Sequence, residues 1–518
     1  MLALVMTPIM VLTVAASADF APGSPRYFPK YGGTREVHLL DGTWSYGYID
    51  GWNSGFDSMS KSFSLAPGCC PNKTAVPSCM DVVAGGAAGY LGPRGVAMYR
   101  TSFATPSAGA PVRLQFQACS FYCRVWVNGK EVGDHLAGGY VAFHLDVPAT
   151  TLRDDGTGNE LFVLADNRFN STTAPMHTGG DFWHYGAIAR SEPTGRGRCR
   201  SLTDVRGLSH PVVPAGGLIR SVELHTLSAT EPVLWRAYVL PVDSNVTHLQ
   251  AGAPSEVDVT LVLSDERASG KPITVSLAFD DTAPVERTLT VSGNTATISR
   301  LAVPNAQPWT PQSPHLHTLT VGLHGGTITE RFGLRRFGVH PTRHRLTING
   351  VVTKLVGWNH HTQWPVTAAS PTDAQIDADI ALLKAGHANL VRGAHYPHDP
   401  RMLDRLDAAG ILFWSETLGP GVSVANTTDW DGFMKHQLTQ MNEMLGARRP
   451  VSCPCARSPS TPCVCGGDRP ASAPRVIPRR QRDEPRVHIY VGVVQRRPVA
   501  HACCVPSVRR MRQARARG

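Results

Sequence analysis

The sequence predicts a multidomain protein of the β plus α/β class: a β-sandwich, an immunoglobulin-like β-sandwich and an incomplete (β/α)8 barrel, in that order. Three observations predict it. From about Glu36 to Gly338 the chain runs in short period-two stretches between Gly, Pro and Asn turns, the pattern of antiparallel sandwiches. After Arg343 the rhythm changes to strand, loop, helix, which argues for a parallel sheet. Three apolar runs there end in polar clusters, at Asn359-His360-His361, Arg392-Gly-Ala-His395 and Ser415-Glu416. Chemistry delivered at successive strand ends is how a closed barrel builds a site. At 518 residues the chain is too long for one core, and its length favours about three domains.

Taken in order, residues 1–18 form an apolar run closing on Ala16-Ser17-Ala18. They read as a secretory signal peptide rather than a membrane span. Sequons at Asn72, Asn170, Asn245 and Asn426 agree with export, so the expected location is secreted or the endomembrane lumen, in a glycoprotein. In the first unit, residues 36–227, the stretches 112–117 and 123–127 alternate and Asn128-Gly129 supplies a hairpin turn, with a further strand at 161–167. The second unit, residues 228–338, reads as strands at 255–263, 273–279 and 316–323. In the third, residues 339–447, Ser370-Pro371-Thr372-Asp373 opens a helix with a cap, a proline at its first position and an acid in its first turn. Ile376, Ile380 and Leu383 give that helix its apolar stripe. A strand through Val391, a helix over 400–409, a strand at 411–414 and an amphipathic helix over 430–446 follow.

These residues resemble glycoside hydrolase family 2, the group of β-galactosidases, β-glucuronidases and β-mannosidases. In the first unit the resemblance rests on Leu40-Asp-Gly-Thr-Trp44, Val125-Trp-Val-Asn-Gly129 and Asp181-Phe-Trp-His-Tyr-Gly186. The second contributes Trp309-Thr-Pro-Gln-Ser-Pro-His-Leu316 and Arg331-Phe-Gly-Leu-Arg335, and the third Ile348-Asn-Gly350, Gly357-Trp-Asn-His-His361, Arg392-Gly-Ala-His-Tyr-Pro397 and Glu416. It implies a sugar-binding jelly roll, an immunoglobulin-like spacer and a barrel that hydrolyses terminal β-glycosidic bonds, of β-galactosides or β-glucuronides, with retention. Such chemistry needs two carboxyls roughly 5 Å apart, one protonating the leaving oxygen and one attacking the anomeric carbon. The family carries the acid/base Glu behind an Asn after the fourth barrel strand and the nucleophile after the seventh. Neither strand is recognisable here. Asn442-Glu443 falls inside the last helix, where a glutamate belongs to a solvated face. The expectation is an O-glycosyl hydrolase chain that holds sugar, lacks both catalytic glutamates and does not turn over. The alternative is a non-catalytic carbohydrate-binding protein.

The resemblance and the strand-end positions nominate His361, His395 and Asn359 as partners of sugar hydroxyls. Arg392 is expected to orient Glu416. Glu416 itself reads as a hydroxyl acceptor, a ligand for a divalent cation or half of a structural ion pair, and Asp181 as a group reaching over from the first unit. Trp358 and Trp414 are read as core ahead of pyranose stacking. No cofactor is expected beyond that divalent cation, and homo-oligomerisation is left open.

Two stretches break the pattern. Residues 187–216 carry Arg190, Arg196, Arg198, Arg200 and Arg206 without a lysine, and residues 448–518 hold 16 Arg, ten Pro and three acids. Neither composition builds a core, and both read as out-of-frame or non-coding sequence, the second as a disordered tail. That tail contributes +13 to a net charge of +10, so the preceding residues carry −3. The charge is therefore no argument for nucleic acid or another polyanion as partner. The expected partner is a carbohydrate β-glycoside, with no membrane span after the leader. Of the twelve cysteines, Cys69 or Cys70 is spaced to join Cys79, and Cys119 to join Cys123. The tail pairs Cys453-Pro-Cys455 and Cys463-Val-Cys465 lack the two-residue gap of zinc knuckles.

Overall fold

A computed structural model describes residues 27–50, 70–79, 95–136, 138–167, 217–242, 255–364, 367–417 and 429–446. The leader, the 187–216 segment, the tail, Asp181 and the sequons at Asn170, Asn245 and Asn426 lie outside the described residues. What is described is a multidomain β plus α/β protein.

The first unit is built from β1 (Lys30–Gly33), β2 (Val37–Leu39), β3 (Gly42–Asp50), β4 (Asn72–Val76), β5 (Gly95–Phe103), β6 (Val112–Phe116), β7 (Tyr122–Val127), β8 (Lys130–His135), β9 (Phe143–Val147), β10 (Asn159–Asp166) and β11 (Val222–Thr226). One sheet runs β4-β3-β5-β10-β7-β8 and the other β2-β11-β6-β9. Their facing side chains, among them Trp44, Tyr99, Leu114, Phe116, Val125 and Leu161, make one core. The β7–β8 turn uses Asn128 at φ 51° and Gly129 at φ 79°, the positive-φ pair that a two-residue hairpin requires. Cys119 and Cys123 are joined as a disulfide. The Cys79 sulfur accepts from the Ala369 amide at 3.3 Å, and Cys69, one of its two expected partners, lies outside the described residues.

The exception is β1, which leaves this unit and pairs antiparallel with a strand of the next, Tyr31 opposite Ile328. That second unit comprises β12 (Leu234–Pro241), β13 (Ser255–Leu263), β14 (Pro272–Phe279), β15 (Val285–Thr290), β16 (Thr295–Val303), β17 (His317–Leu323) and β18 (Gly326–Phe332). Its sheets, β1-β18-β17-β14-β15 and β12-β13-β16, close over a core that includes Val257, Val259, Val275, Leu319, Val321 and Ile328. Along β13 every second residue is buried, the alternation that the sequence displays.

A short antiparallel sheet of β19 (Phe337–Val339), β20 (Leu346–Ile348) and β21 (Val351–Val352) leads into three parallel strands, β22 (Gly357–His360), β23 (Leu390–Gly393) and β24 (Leu412–Ser415). Helices α1 (Asp373–Ala385) and α2 (Pro400–Ala409) connect them, and α3 (Trp430–Gly446) follows. The α1 start differs from the expected one: Thr372, not Ser370, is the cap, and it exchanges hydrogen bonds with Gln375. The reciprocal box satisfies two orphan amides, while the Ser370 hydroxyl is already donated to Ile219 O at 2.9 Å. β22 also begins late. The Asn389 side chain bonds Val356 N and Lys354 O, so an amide stands where strand pairing would continue.

Several motifs are joints between units. Trp309 is fully buried and donates its indole N–H to Asp407 O at the end of α2, with the Arg335 guanidinium 4.5 Å above its ring. Asn349 donates to Trp309 O and accepts from Arg336 N. Arg220, from the first unit, donates to Tyr140 O and to Pro397 O in the loop after β23. Around it Ala118, Phe121, Tyr140 and Ile219 pack against Ala368, Ala369 and Tyr396 of the barrel strands' loops. Glu443, expected on a solvated face of α3, instead holds His135 of the first unit at 2.9 Å. His436, two turns earlier on the same face, has its Nδ1 3.1 Å from Leu136 O of that unit.

Candidate functional site

Strand register decides which side chains share a face. Gly357, Leu390 and Leu412 are level across the parallel strands, and so are Asn359, Arg392 and Trp414. With a side-chain period of two, these two rows line one face, and Trp358, Val391 and Phe413 line the other. On that other face Val391 and Phe413 pack against Ile376, Leu383, Met402 and Leu406 from α1 and α2. On the first face the lower row is sealed, because Leu390 and Leu412 pack on Trp309, Ile348, Leu316 and Phe337. Only the upper row remains as a polar wall. The two tryptophans therefore part company: Trp414 belongs to the wall, whereas Trp358, 54% exposed, covers Gly386 at the end of α1.

Four nominated residues form one hydrogen-bonded chain along the strand ends. Arg392 Nε donates to Glu416 Oε1 at 2.6 Å and Nη2 to Oε2 at 3.2 Å, a two-point grip, and Nη1 reaches Asn359 Oδ1 at 3.4 Å. His395 Nδ1 lies 2.8 Å from Glu416 Oε2 and 2.9 Å from Arg392 Nη2. A ring nitrogen carries either a proton or a lone pair, so both contacts are not hydrogen bonds at once. The carboxylate contact is the shorter and needs the proton, so Nδ1 donates to Glu416 and the arginine contact is a close approach. His361, the fifth residue, packs edge-on to the His395 ring at 5.3 Å. Asp181, the sixth, lies outside the described residues.

Electrostatics fixes the charge of this wall. Burial pushes Glu416 up, but hydrogen bonds from His395 and Arg392, with the arginine charge, outweigh it and hold the carboxyl below its ordinary range. Glu416 is 13% exposed and Arg392 39%, so the pair faces the open side. His395, at 6%, supports from beneath rather than presenting itself. Of the three readings of Glu416, the structure shows the ion pair, with Arg392 and His395. Among the described residues no group of three or more His, Cys, Asp or Glu side chains is arranged to hold a metal ion. No helix among them is long and apolar enough to cross a membrane.

A second tier, which the sequence reading passed over, lies under the wall. His360 Nε2 and Trp364 Nε1 both sit 3.0 Å from Asp379 Oδ2 on α1. His360 Nδ1 is 3.1 Å from His398 Nε2, and His398 Nδ1 is 2.9 Å from Tyr396 O. Tyr396 stacks on Tyr140 of the first unit at 4.5 Å, and its hydroxyl accepts from Thr362 N. Asp399, the α2 cap, is raised by burial but lowered further by Arg401 and Arg220, to about 2. The available signal was the spacing His395-Tyr-Pro-His398-Asp399, which sets a second histidine on the same loop.

Residues 243–335 match the family described as glycosyl hydrolases family 2, and residues 339–449 match its TIM barrel domain. Rat β-glucuronidase is 24% identical over 436 residues, which cover 81% of this chain and 62% of the relative. A β-galactosidase of Thermoanaerobacter pseudethanolicus is 25% identical over 366 residues, 67% of this chain and 42% of its own length. Among solved structures, Bifidobacterium dentium β-glucuronidase complexed with coumarin-3-O-glucuronide superposes with a TM-score of 0.63 at 22% identity, covering 82% of this chain and 66% of that one. An Eisenbergiella tayi β-galacturonidase bound to galacturonate gives 0.59 at 22%, covering 80% and 63%. The chain spans between about a tenth and less than two thirds of the length of the curated relatives it matches. Two adjoining matches in the order in which the second unit and the parallel strands occur place residues 243–335 and 339–449 in glycoside hydrolase family 2, and relatives of one kind across the first unit support that assignment for the chain.

Proposed function

We propose that this chain is the sugar-holding part of a family 2 β-glycosidase. In this reading a jelly-roll unit and an immunoglobulin-like spacer carry the opening βα units of a (β/α)8 barrel. The wall takes the hydroxyls of a terminal β-galactoside or β-glucuronide, the two substrate classes named by its relatives. The observation that carries the reading is the Asn359–Arg392–Glu416–His395 chain on adjacent parallel strand ends. Asn359 and Arg392 donate to hydroxyls, Glu416 accepts, His395 orients Glu416, and His361 forms the lip with Trp414 beneath the ring.

Retaining hydrolysis needs two carboxyls roughly 5 Å apart, one of them free to attack. Among the described residues, Glu416 is engaged by Arg392 and His395, Asp379 by His360, Asp399 by Arg401, and Glu443 by His135. This polypeptide accordingly binds glycoside without turnover, and it needs no cofactor to do so. The test is the purified protein with p-nitrophenyl β-galactoside and β-glucuronide. No nitrophenol release is expected, with saturable binding that Arg392→Ala abolishes. Release by protein free of contaminating glycosidase overturns the inactivity, and absence of binding overturns the sugar wall.

The same engagement of carboxylates favours a second reading, a non-catalytic carbohydrate-binding protein using its first unit. Glycan binding that survives Arg392→Ala distinguishes it. In both readings the protein is secreted or lumenal, which the leader-like residues 1–18, the Cys119–Cys123 disulfide and the exposed Asn72 support. Residues 187–216 and 448–518 are proposed to be out-of-frame, and transcript reads continuous through both would remove that idea.

A further inference from the structure

The tier beneath the wall carries a proton count. The Asp379 carboxylate accepts at His360 Nε2, and the Tyr396 carbonyl accepts at His398 Nδ1. Neither oxygen donates, so each of those ring nitrogens bears a hydrogen. The two remaining nitrogens, His360 Nδ1 and His398 Nε2, face one another at 3.1 Å. His398 Nε2 also lies 3.1 Å from His360 O, a second acceptor. Without a proton between the rings, lone pairs would oppose lone pairs at hydrogen-bond distance. With one, four ring nitrogens hold three protons, and the pair carries a single positive charge.

We propose that His360 and His398 form a singly charged imidazole–imidazolium pair, neutralised by Asp379, and that Asp379 is thereby the positioning residue for the sugar-holding ends of β22 and β23. The placement rests on the reading of that wall as sugar-holding; the proton count does not. His360 ends β22, next to His361, and His398 follows His395 by three residues. A proton shared between them ties both loops together, and Asp379 anchors the pair to α1. The same Oδ2 that receives His360 also receives Trp364 Nε1, so the loop between β22 and α1 is fixed by one carboxylate.

Burial, with the neighbouring His360 charge, holds His398 well below the ordinary histidine range. Arg220 and His361 also press on His398, Tyr396 stacks flat on its ring at 5.4 Å, and Phe413 closes its edge. Asp399, nearby, is satisfied by Arg401. That leaves Asp379 as the carboxylate in contact with the pair.

The test is nitrogen-15 NMR of histidine-labelled full chain, with His360→Gln and His398→Gln to assign the rings. At neutral pH three of the four ring nitrogens are expected to be protonated, falling to two as the pH rises, with the His361 and His395 signals moving at the same midpoint. Asp379→Asn should show two at neutral pH and shift the His361 and His395 signals, leaving His225 in place. Trp364→Phe removes the other donor to Asp379 and should keep three. Two protonated nitrogens in the unaltered protein overturn the pair, and unmoved His361 and His395 signals in Asp379→Asn overturn the positioning. Phenyl β-galactoside and phenyl β-glucuronide are titrated alongside. Three protons without glycoside binding support the pair and overturn the sugar reading.

Discussion

Around Glu223, between the first and second units, and around Glu416, at the mouth of the parallel strands, the chain repeats one set of groups: a carboxylate, a histidine and arginine. At the first place everything is sealed. Glu223 accepts from Tyr27 Oη and from Gln117 Nε2, and His225 Nε2 donates to it at 2.9 Å while His225 Nδ1 accepts from Arg35. Arg35, Arg113 and Arg236 surround the Trp235 ring at 5.3, 4.3 and 4.5 Å. Burial there outweighs every partner and raises Glu223 above its ordinary range. At the second place the partners outweigh burial and Glu416 is lowered. The same chemistry makes a joint where solvent is excluded and a receptive surface where one side stays open.

If that contrast is right, removing each carboxylate has different consequences. Glu223→Ala leaves arginine charge buried without its counter-ion, and the expected loss is about 3–5 kcal/mol in urea unfolding. Glu416→Ala, with half-open Arg392 rehydrating, should cost at most about 1 kcal/mol. Equal losses would break the comparison. In binding the order reverses: Glu416→Ala should weaken phenyl β-glycoside binding about tenfold to a hundredfold, the value of a charged hydrogen bond, measured by calorimetry. Glu223→Gln, once folded, should leave it unchanged.

The acid limb sharpens the same contrast. A lowered carboxyl such as Glu416 stabilises the fold above the ordinary carboxyl range, and that gain is lost as pH falls through the lowered value. A raised carboxyl such as Glu223 still holds its proton when the unfolded chain has released its own, so stability falls as pH rises between the two values. Glu416→Gln should therefore flatten the loss of stability towards low pH, and Glu223→Gln should remove an opposing slope, read as unfolding midpoints over about pH 3–7. A control lies outside both clusters. Thr372→Ala breaks the α1 capping box and should cost about 1 kcal/mol by the same urea assay, without touching binding.

What could be read in the sequence was local or periodic. The alternation at Ser255–Leu263 and the positive-φ turn at Asn128-Gly129 are written into a few neighbouring residues, and both stand as read. The strand-end residues of the wall were equally legible, because a polar cluster ending an apolar run has few other uses. Long-range choices were not. Nothing in Lys30-Tyr-Gly-Gly33 says that it will leave its own unit for β18, and nothing in α3 says that Glu443 will meet His135. The Lys354-Leu-Val run looks like strand, yet Asn389 supplies the pairing there and leaves Leu355 and Val356 exposed. The histidine tier was missed because its partner, Asp379, comes from a helix nineteen residues away.

The excursion of β1 has a consequence for synthesis. Tyr31 pairs with Ile328, nearly 300 residues further along. A ribosome adding roughly 5–20 residues per second needs about 15–60 s to cover that distance. For that interval the early strand has emerged and its partner does not exist, so its backbone amides and carbonyls are open to any passing edge. The second sheet is completed only after the first unit has had time to fold, which gives the order of assembly a clock set by translation and the newborn chain a window in which a chaperone has something to hold.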